Sequence, residues 1–269
     1  MAGPEALFAG SIARNYHKYL VPLIFDDYAR DLVGRTRIPA DGAVLEIACG
    51  TGALTRHLHE KMNNGSRLVA TDVSPDMVDA ARSNLGEPAP VEFRPADGTA
   101  LPFDDGSFDA VVCQFGVMFY PDRILGYREA ARVLKPGGSF SFNTWDSHAH
   151  NALCGFVHRK VVEMFPDDPP AFLEIPFAYN DLSVIKAELQ EAGFADVHFS
   201  VLRRESRAPS AREVALGFVA GSPLAAQLAE MGVEKETLEA VEAALIDEYG
   251  DGPVAGPMQS IAVVAELGG

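Results

Sequence analysis

From Ala43 to about Phe199, short apolar runs rich in β-branched residues alternate with stretches of helical spacing. Such an alternation folds as parallel strands with helices on both faces of one sheet. The first run, Ala43 to Ala48, lies between Asp41-Gly42 and Gly50-Thr51-Gly52 and reads as a buried strand. A helix through Leu54, Leu58 and Met62 follows, ending at Asn63-Asn64-Gly65, residue types that suit a left-handed C-terminal cap. Arg67 to Thr71 is a second strand running into Asp72, and Ser74-Pro75 then supplies an N-cap and a first helical residue. Val91 to Arg94, Phe108 to Cys113 and Ser139 to Trp145 read as strands three to five, with a helix over Ile124 to Leu134 that stops at the turn Lys135-Pro136-Gly137-Gly138, whose lysine is expected on the surface. Four βα units in succession imply an α/β, doubly wound sheet.

The ends depart from this rhythm. Residues 11 to 33 carry apolar side chains at helical spacing, interrupted near Pro22, so residues 1–35 are expected to form a helical preamble. A helix over Asp181 to Ala192 precedes a sixth strand, Val197 to Leu202, and Ser260 to Leu267 is a last strand expected to pair with it antiparallel. One domain results, a seven-stranded core over 36–206 and 259–269 with a helical cap, 207–258, inserted before the last strand. His57 and His59, two apart on a helix, do not share a face and read as surface residues.

Composition narrows the partners. Twenty-two Lys and Arg against thirty-eight Asp and Glu give a net charge of −16, a field that repels nucleic acid and anionic membrane surfaces. No uncharged apolar run approaches the ~20 residues of a membrane span, and the opening Met-Ala-Gly-Pro-Glu lacks a basic secretory start, so a cytoplasmic monomer or homodimer is expected. The three cysteines are dispersed and lack a C-x-x-C pair, which speaks against a metal centre and a disulfide framework.

In an open α/β sheet, ligands bind beyond the carboxyl ends of the strands. Those ends are polar here: Glu46 through Gly52 after strand one, Asp72 after strand two, Asp97-Gly98 after strand three and Gln114 after strand four. The glycines allow close approach of a ligand to the backbone, and Asp72, twenty positions after Gly52, is placed to accept from ribose hydroxyls. Each acid also has a structural use, since a strand-end Asp commonly caps the next helix. A nicotinamide dinucleotide site would require glycine where Thr55 stands, and it has no purpose for Glu46.

The run Val44 to Gly52 resembles the first motif of class I S-adenosylmethionine-dependent methyltransferases, an acid followed by G-x-G. Asp72 to Met77, Ala96-Asp97-Gly98, Leu101-Pro102-Phe103, Ser107-Phe108-Asp109 and Lys135 to Gly138 continue the resemblance in order, most closely to the ubiquinone and menaquinone biosynthesis subgroup. It implies a Rossmann-like fold, S-adenosyl-L-methionine as cofactor and a small-molecule methyl acceptor. By the same resemblance Ala48, Gly50 and Thr51 pass the methionine part of the cofactor while Glu46 orders the turn. Asp72 holds the ribose, Met77 lies against the adenine, Asp97 and Gly98 address the adenine, and Gln114 lies by the methyl group.

Methyl transfer needs a positioned nucleophile and exclusion of water, and a base only for an acceptor that cannot lose its proton unaided. His148 and His150 after strand five are the candidate bases, and Tyr16 and Tyr19 of the preamble are candidates to close over the cofactor. The cap and residues 147–180 are expected to enclose an apolar acceptor pocket near Phe115, Phe119, Tyr120, Phe156, Phe165 and Phe177. A catalytically silent cofactor-binding subunit is the alternative of another class.

Overall fold

The computed structural model describes residues 10–63, 65–86 and 90–268, so the first nine residues of the preamble and Asn64 of the expected helix cap lie outside the described residues. The chain begins with α1 (Ser11–Asn15), a π-helical stretch (Tyr16–Phe25) and α2 (Asp26–Arg35). Sequence spacing suggests a break at Pro22, but the backbone stays helical through it. Proline has no N–H to give and its ring crowds the preceding turn, and wider i→i+5 turns accommodate both.

The core follows as β1 (Ala43–Ile47), α3 (Ala53–Lys61), β2 (Arg67–Asp72), α4 (Pro75–Leu85), β3 (Val91–Pro95) and β4 (Phe108–Gln114). Then come α5 (Arg123–Val133), β5 (Leu134–Trp145), α6 (Ala152–Met164), α7 (Leu182–Glu191) and β6 (Phe194–Ala208). The cap contains α8 (Ala211–Ala215), α9 (Leu224–Met231) and α10 (Glu234–Tyr249), and β7 (Val254–Leu267) closes the chain. The strands form one sheet in the order β3-β2-β1-β4-β5-β7-β6, parallel except for β7, which runs antiparallel to both neighbours. Doubly wound topology and the antiparallel last strand are therefore as expected. The β6–β7 pair is longer than the spacing suggests, with Ala208 opposite Val254, so the helical cap is shorter at both ends.

Local chemistry explains the element starts. The Ser74 hydroxyl accepts from the Met77 N–H at the head of α4, and the Asp122 carboxylate does the same for Leu125 at the head of α5. Strands β1 and β4 are buried on both faces, as parallel strands between helical layers must be. Lys135 is not a plain surface residue: its ammonium lies 2.7 Å from Asp109, whose carboxylate also accepts from the Ala43 N–H, joining the starts of β1, β4 and β5. Nor is His57 on the surface, since its ring is held 3.0 Å from Asp26 of α2, with its side chain 11 % exposed. No single helix among the described residues is long and apolar enough to cross a membrane; one pair, Ala211–Ala220 with Leu224–Met231, passes jointly but is bent by 79°.

The preamble is locked to the far edge of the sheet by Tyr28, fully buried, whose hydroxyl donates to the Leu202 carbonyl at 3.2 Å. A buried neutral hydrogen bond contributes about 1 kcal/mol. Tyr28→Phe is expected to lower the thermal midpoint by about 2–4 °C, measured by calorimetry.

Candidate functional site

Strand order reverses between β1 and β4, so the chain leaves their carboxyl ends in opposite directions and opens a crevice there. The two ends are pressed together. Ala48 and Phe115, the residues after β1 and the end of β4, both adopt left-handed backbone (φ 55° and 52°), which side-chain-bearing residues rarely hold outside functional sites. Gly116 permits the contact, since a Cβ there would fall 2.5 Å from the Ala48 Cβ and 2.7 Å from the Cys113 Sγ.

A cleft of about 980 Å³ lies over these ends. Ala48 and Gly50 form its floor, and Asp72, Met77, Asp97, Gly98 and Gln114 line it together with Tyr16 from the preamble. The Asp72 carboxylate organises two turns at once: Oδ2 accepts the Gly50 N–H and Oδ1 the Ser74 N–H, each at 2.9 Å. Burial raises its pKa, and those N–H donors work against the shift. Asp97 accepts from both the N–H and the hydroxyl of Thr99 through Oδ1 alone. Gly98 has no room for a side chain, because a Cβ would lie 2.7 Å from the Tyr120 hydroxyl. Gln114 donates its amide N–H to the Phe25 carbonyl at 2.9 Å, fastening the preamble over the cleft.

Two expected cofactor residues stand outside the cleft wall. Thr51 is buried, and its hydroxyl lies 3.1 Å from Nδ1 of His17 while its carbonyl accepts from Asn84 at 3.0 Å. It joins preamble, turn and α4 rather than facing the cleft. Glu46 lies beneath the turn, 1 % exposed, with Oε2 unpartnered among the described residues. Burial, reinforced by the Asp72 carboxylate, pushes its pKa up to about 8.

Beyond Tyr16, Phe115 and Phe119, which line both spaces, the cleft adjoins a smaller, more apolar inner cavity. Six separate stretches line it: Leu20, Ile24 and Phe25 of the preamble, Met118 with its neighbours after β4, Trp145 at the end of β5, Cys154 of α6, Phe172 and Phe177 before α7, and Phe218 of the cap. Phe115 stacks on Trp145 with centroids 3.9 Å apart. Of the aromatics singled out in the sequence, Tyr120 faces the cleft, while Phe156 packs on Tyr249 and Phe165 packs against the core. Sequence reasoning missed Trp145 and Phe25. The signal for Trp145 was available, since it is the chain's single tryptophan and it stands at a strand's carboxyl end.

The histidines do not reach either space. The His148 Nε2 donates to the Leu173 carbonyl at 2.9 Å, and its ring packs, tilted, behind Phe177 at 4.4 Å. A carbonyl only accepts, so Nε2 carries the proton; burial and the neighbouring His158 lower the pKa. His150 sits on the surface, 3.3 Å from Asp146. The cavity therefore corrects the assignment of these residues as bases. Tyr19 is also displaced from the cleft wall, with the Lys18 ammonium over its ring.

Glu46 offers a check on the buried electrostatics. Between its ordinary value of 4.5 and about 8 the folded chain keeps a proton that the unfolded chain has lost, so stability falls as pH rises through that window. Glu46→Gln removes this slope. The thermal midpoint of the variant relative to the parent is expected to climb from about pH 5 to about pH 8, and a constant difference would contradict the burial argument.

Comparison with known proteins agrees with this arrangement. A model described as a methyltransferase domain matches residues 45–142. The ubiquinone/menaquinone biosynthesis C-methyltransferase UbiE of Enterobacter sp. (strain 638) is 30 % identical over 169 residues, 58 % of this chain and 67 % of that protein. The YcgJ protein of Bacillus subtilis superposes with a TM-score of 0.60 at 18 % identity, over 90 % of this chain and 98 % of that one. The phosphoethanolamine N-methyltransferase 2 of Haemonchus contortus, solved with S-adenosyl-L-methionine, has a TM-score of 0.60 at 15 % identity, over 96 % and 57 % of the two chains. From its strand order, its polar strand ends and these likenesses, the chain belongs to the class I S-adenosylmethionine-dependent methyltransferases, in the ubiquinone/menaquinone biosynthesis type.

Proposed function

We propose that this methyltransferase transfers its methyl group to a small, apolar or aromatic metabolite held in the inner cavity, by in-line displacement. The observation that carries the reading is the adjacency of the two spaces: a cleft lined by carboxylates shares Tyr16, Phe115 and Phe119 with a cavity walled by aromatic and aliphatic side chains. The residues present fit the cofactor. Asp72 retains lone pairs beyond its two backbone bonds and accepts from the ribose hydroxyls, and Asp97 Oδ2, without a protein donor among the described residues, accepts from the adenine amino group. Met77 lies against the adenine, with the Gly98 backbone beside it. Ala48 and Gly50 pass the methionine part, and Gln114 stands by the methyl group as a neutral side chain with no proton to exchange.

When bound, S-adenosylmethionine supplies a methyl group on a sulfonium, already electrophilic. The protein's share is to hold a nucleophile about 3 Å away, in line, and to exclude water. Tyr16 stacks on Phe25 at 5.1 Å and Phe25 packs on Phe115 at 5.5 Å, an apolar cluster beside the two spaces that serves that exclusion.

Two measurements test this reading. Asp72→Ala removes a ribose acceptor and orphans two backbone donors, so calorimetry is expected to show S-adenosylhomocysteine binding weakened by roughly 30–300-fold. Trp145 reports on the inner cavity as the chain's single tryptophan. Its emission is expected to change on titration with a small aromatic such as 2-naphthol and not with a sugar phosphate; the reverse response would overturn the apolar acceptor.

A further inference from the structure

We infer that the acceptor atom is an amine nitrogen, so that the enzyme acts on a lipophilic amine, in departure from the carbon methylation for which its relative is named. This rests on the reading of the inner cavity as the acceptor site. Among the described residues, those that line the cavity include no Asp, Glu, His, Lys or Arg. Of its polar groups, the Ser222 hydroxyl is engaged with the Phe218 carbonyl at 2.5 Å, and the Cys154 thiol is buried. The Tyr16 hydroxyl, at the boundary with the cleft, has its pKa raised by burial first and by the Asp72 carboxylate second, so it stays protonated. His148 stands behind Phe177 with its proton committed to Leu173.

Such surroundings treat acceptor classes oppositely. Desolvation favours the neutral form of any titratable group. For a phenol or quinol the neutral form is the poor nucleophile, and methylation at ring carbon must in addition shed a ring proton to a base that these walls do not hold. For an amine the neutral form is the nucleophile. An alkylammonium, which ionises near 10.4 in water, loses its proton to solvent as it enters an apolar space, and buried amines ionise as low as about 5–6. A sulfonium alongside adds to this effect for the amine and works against it for the phenol, so the amine alone gains from both.

The nitrogen lone pair forms the N–C bond as the C–S bond breaks, and the bonding pair stays on sulfur, leaving S-adenosylhomocysteine. The positive charge passes from sulfur to nitrogen. A tertiary amine leaves as a quaternary ammonium; a secondary amine gives an ammonium that returns its proton to water on release. Phe25, Phe115, Trp145, Phe177 and Phe218 are suited to that charge, since aromatic rings attract desolvated cations where no carboxylate is present.

The test uses the full chain. With S-adenosylmethionine, N,N-dimethylbenzylamine and N-methylbenzylamine are compared with p-cresol and hydroquinone, products being read by mass. Methylated amine with unmodified phenols is the expected result. Methylated phenol or hydroquinone, alone or at a rate comparable with the amines, overturns the assignment while leaving the apolar acceptor in place. If none of the four turns over, binding decides, followed by Trp145 emission in the S-adenosylhomocysteine complex. Benzyltrimethylammonium is expected to bind roughly 3–30-fold more tightly than its uncharged isostere neopentylbenzene. Equal or weaker binding of the cation overturns the amine assignment alone, and binding of neither overturns it together with the apolar-acceptor reading.

Discussion

Everything at this site hangs on the approach of two strand ends that must diverge. β1 and β4 run side by side, yet one chain turns toward β2 and the other toward β5, and the gap between them is where a ligand can reach backbone. Ala48 and Phe115 take left-handed conformations to make those turns, and Gly116 lets them touch. Asp72 then fixes the result from the neighbouring strand by accepting one N–H from each of two turns. Without that carboxylate the Gly50 turn and the head of α4 have no common anchor.

The same arrangement divides the electrostatics. Carboxylates gather under and around the cleft, where Glu46 is buried deeply enough to stay protonated near neutrality and Asp72 is balanced between desolvation and donated hydrogen bonds. The described residues that wall the inner cavity carry no charge. On the proposed reading, a cationic cofactor meets acids along its length and turns its reactive end toward aromatic rings. The preamble serves both halves, because Gln114 binds its Phe25 carbonyl while Phe25 itself, stacked with Tyr16, forms part of the cavity wall.

Much of this was readable in the residues, for a definite reason. Strand ends in a parallel sheet converge by topology, so Asp72, Asp97, Gly98 and Gln114 could be gathered from their positions after apolar runs, and the cleft collects them. Glu46 and Thr51 belong to the same motif, but whether a strand-end side chain points up into a cleft or down under a turn depends on one residue of register, which spacing alone does not reveal. The histidines failed for a different reason. His148 has the right position in sequence, but its ring direction is set by a carbonyl from the loop at Leu173, a contact with no local signal. Pro22 likewise predicts a break, whereas packing of the preamble against the sheet holds the helix together through wider turns.

The two halves of the site also differ in what can change them. The cleft is shaped largely by main-chain geometry, with carboxylates pinned to N–H groups and glycines fixed by contact distance. The inner cavity is shaped by side-chain volume drawn from six separate stretches of the chain. Exchanging Phe172, Phe177 or Phe218 for a smaller or larger residue alters one wall and leaves the strand ends as they are. With the acceptor in the inner cavity as proposed, selection can retune what is methylated in small steps, while the means of holding the methyl donor stays unchanged.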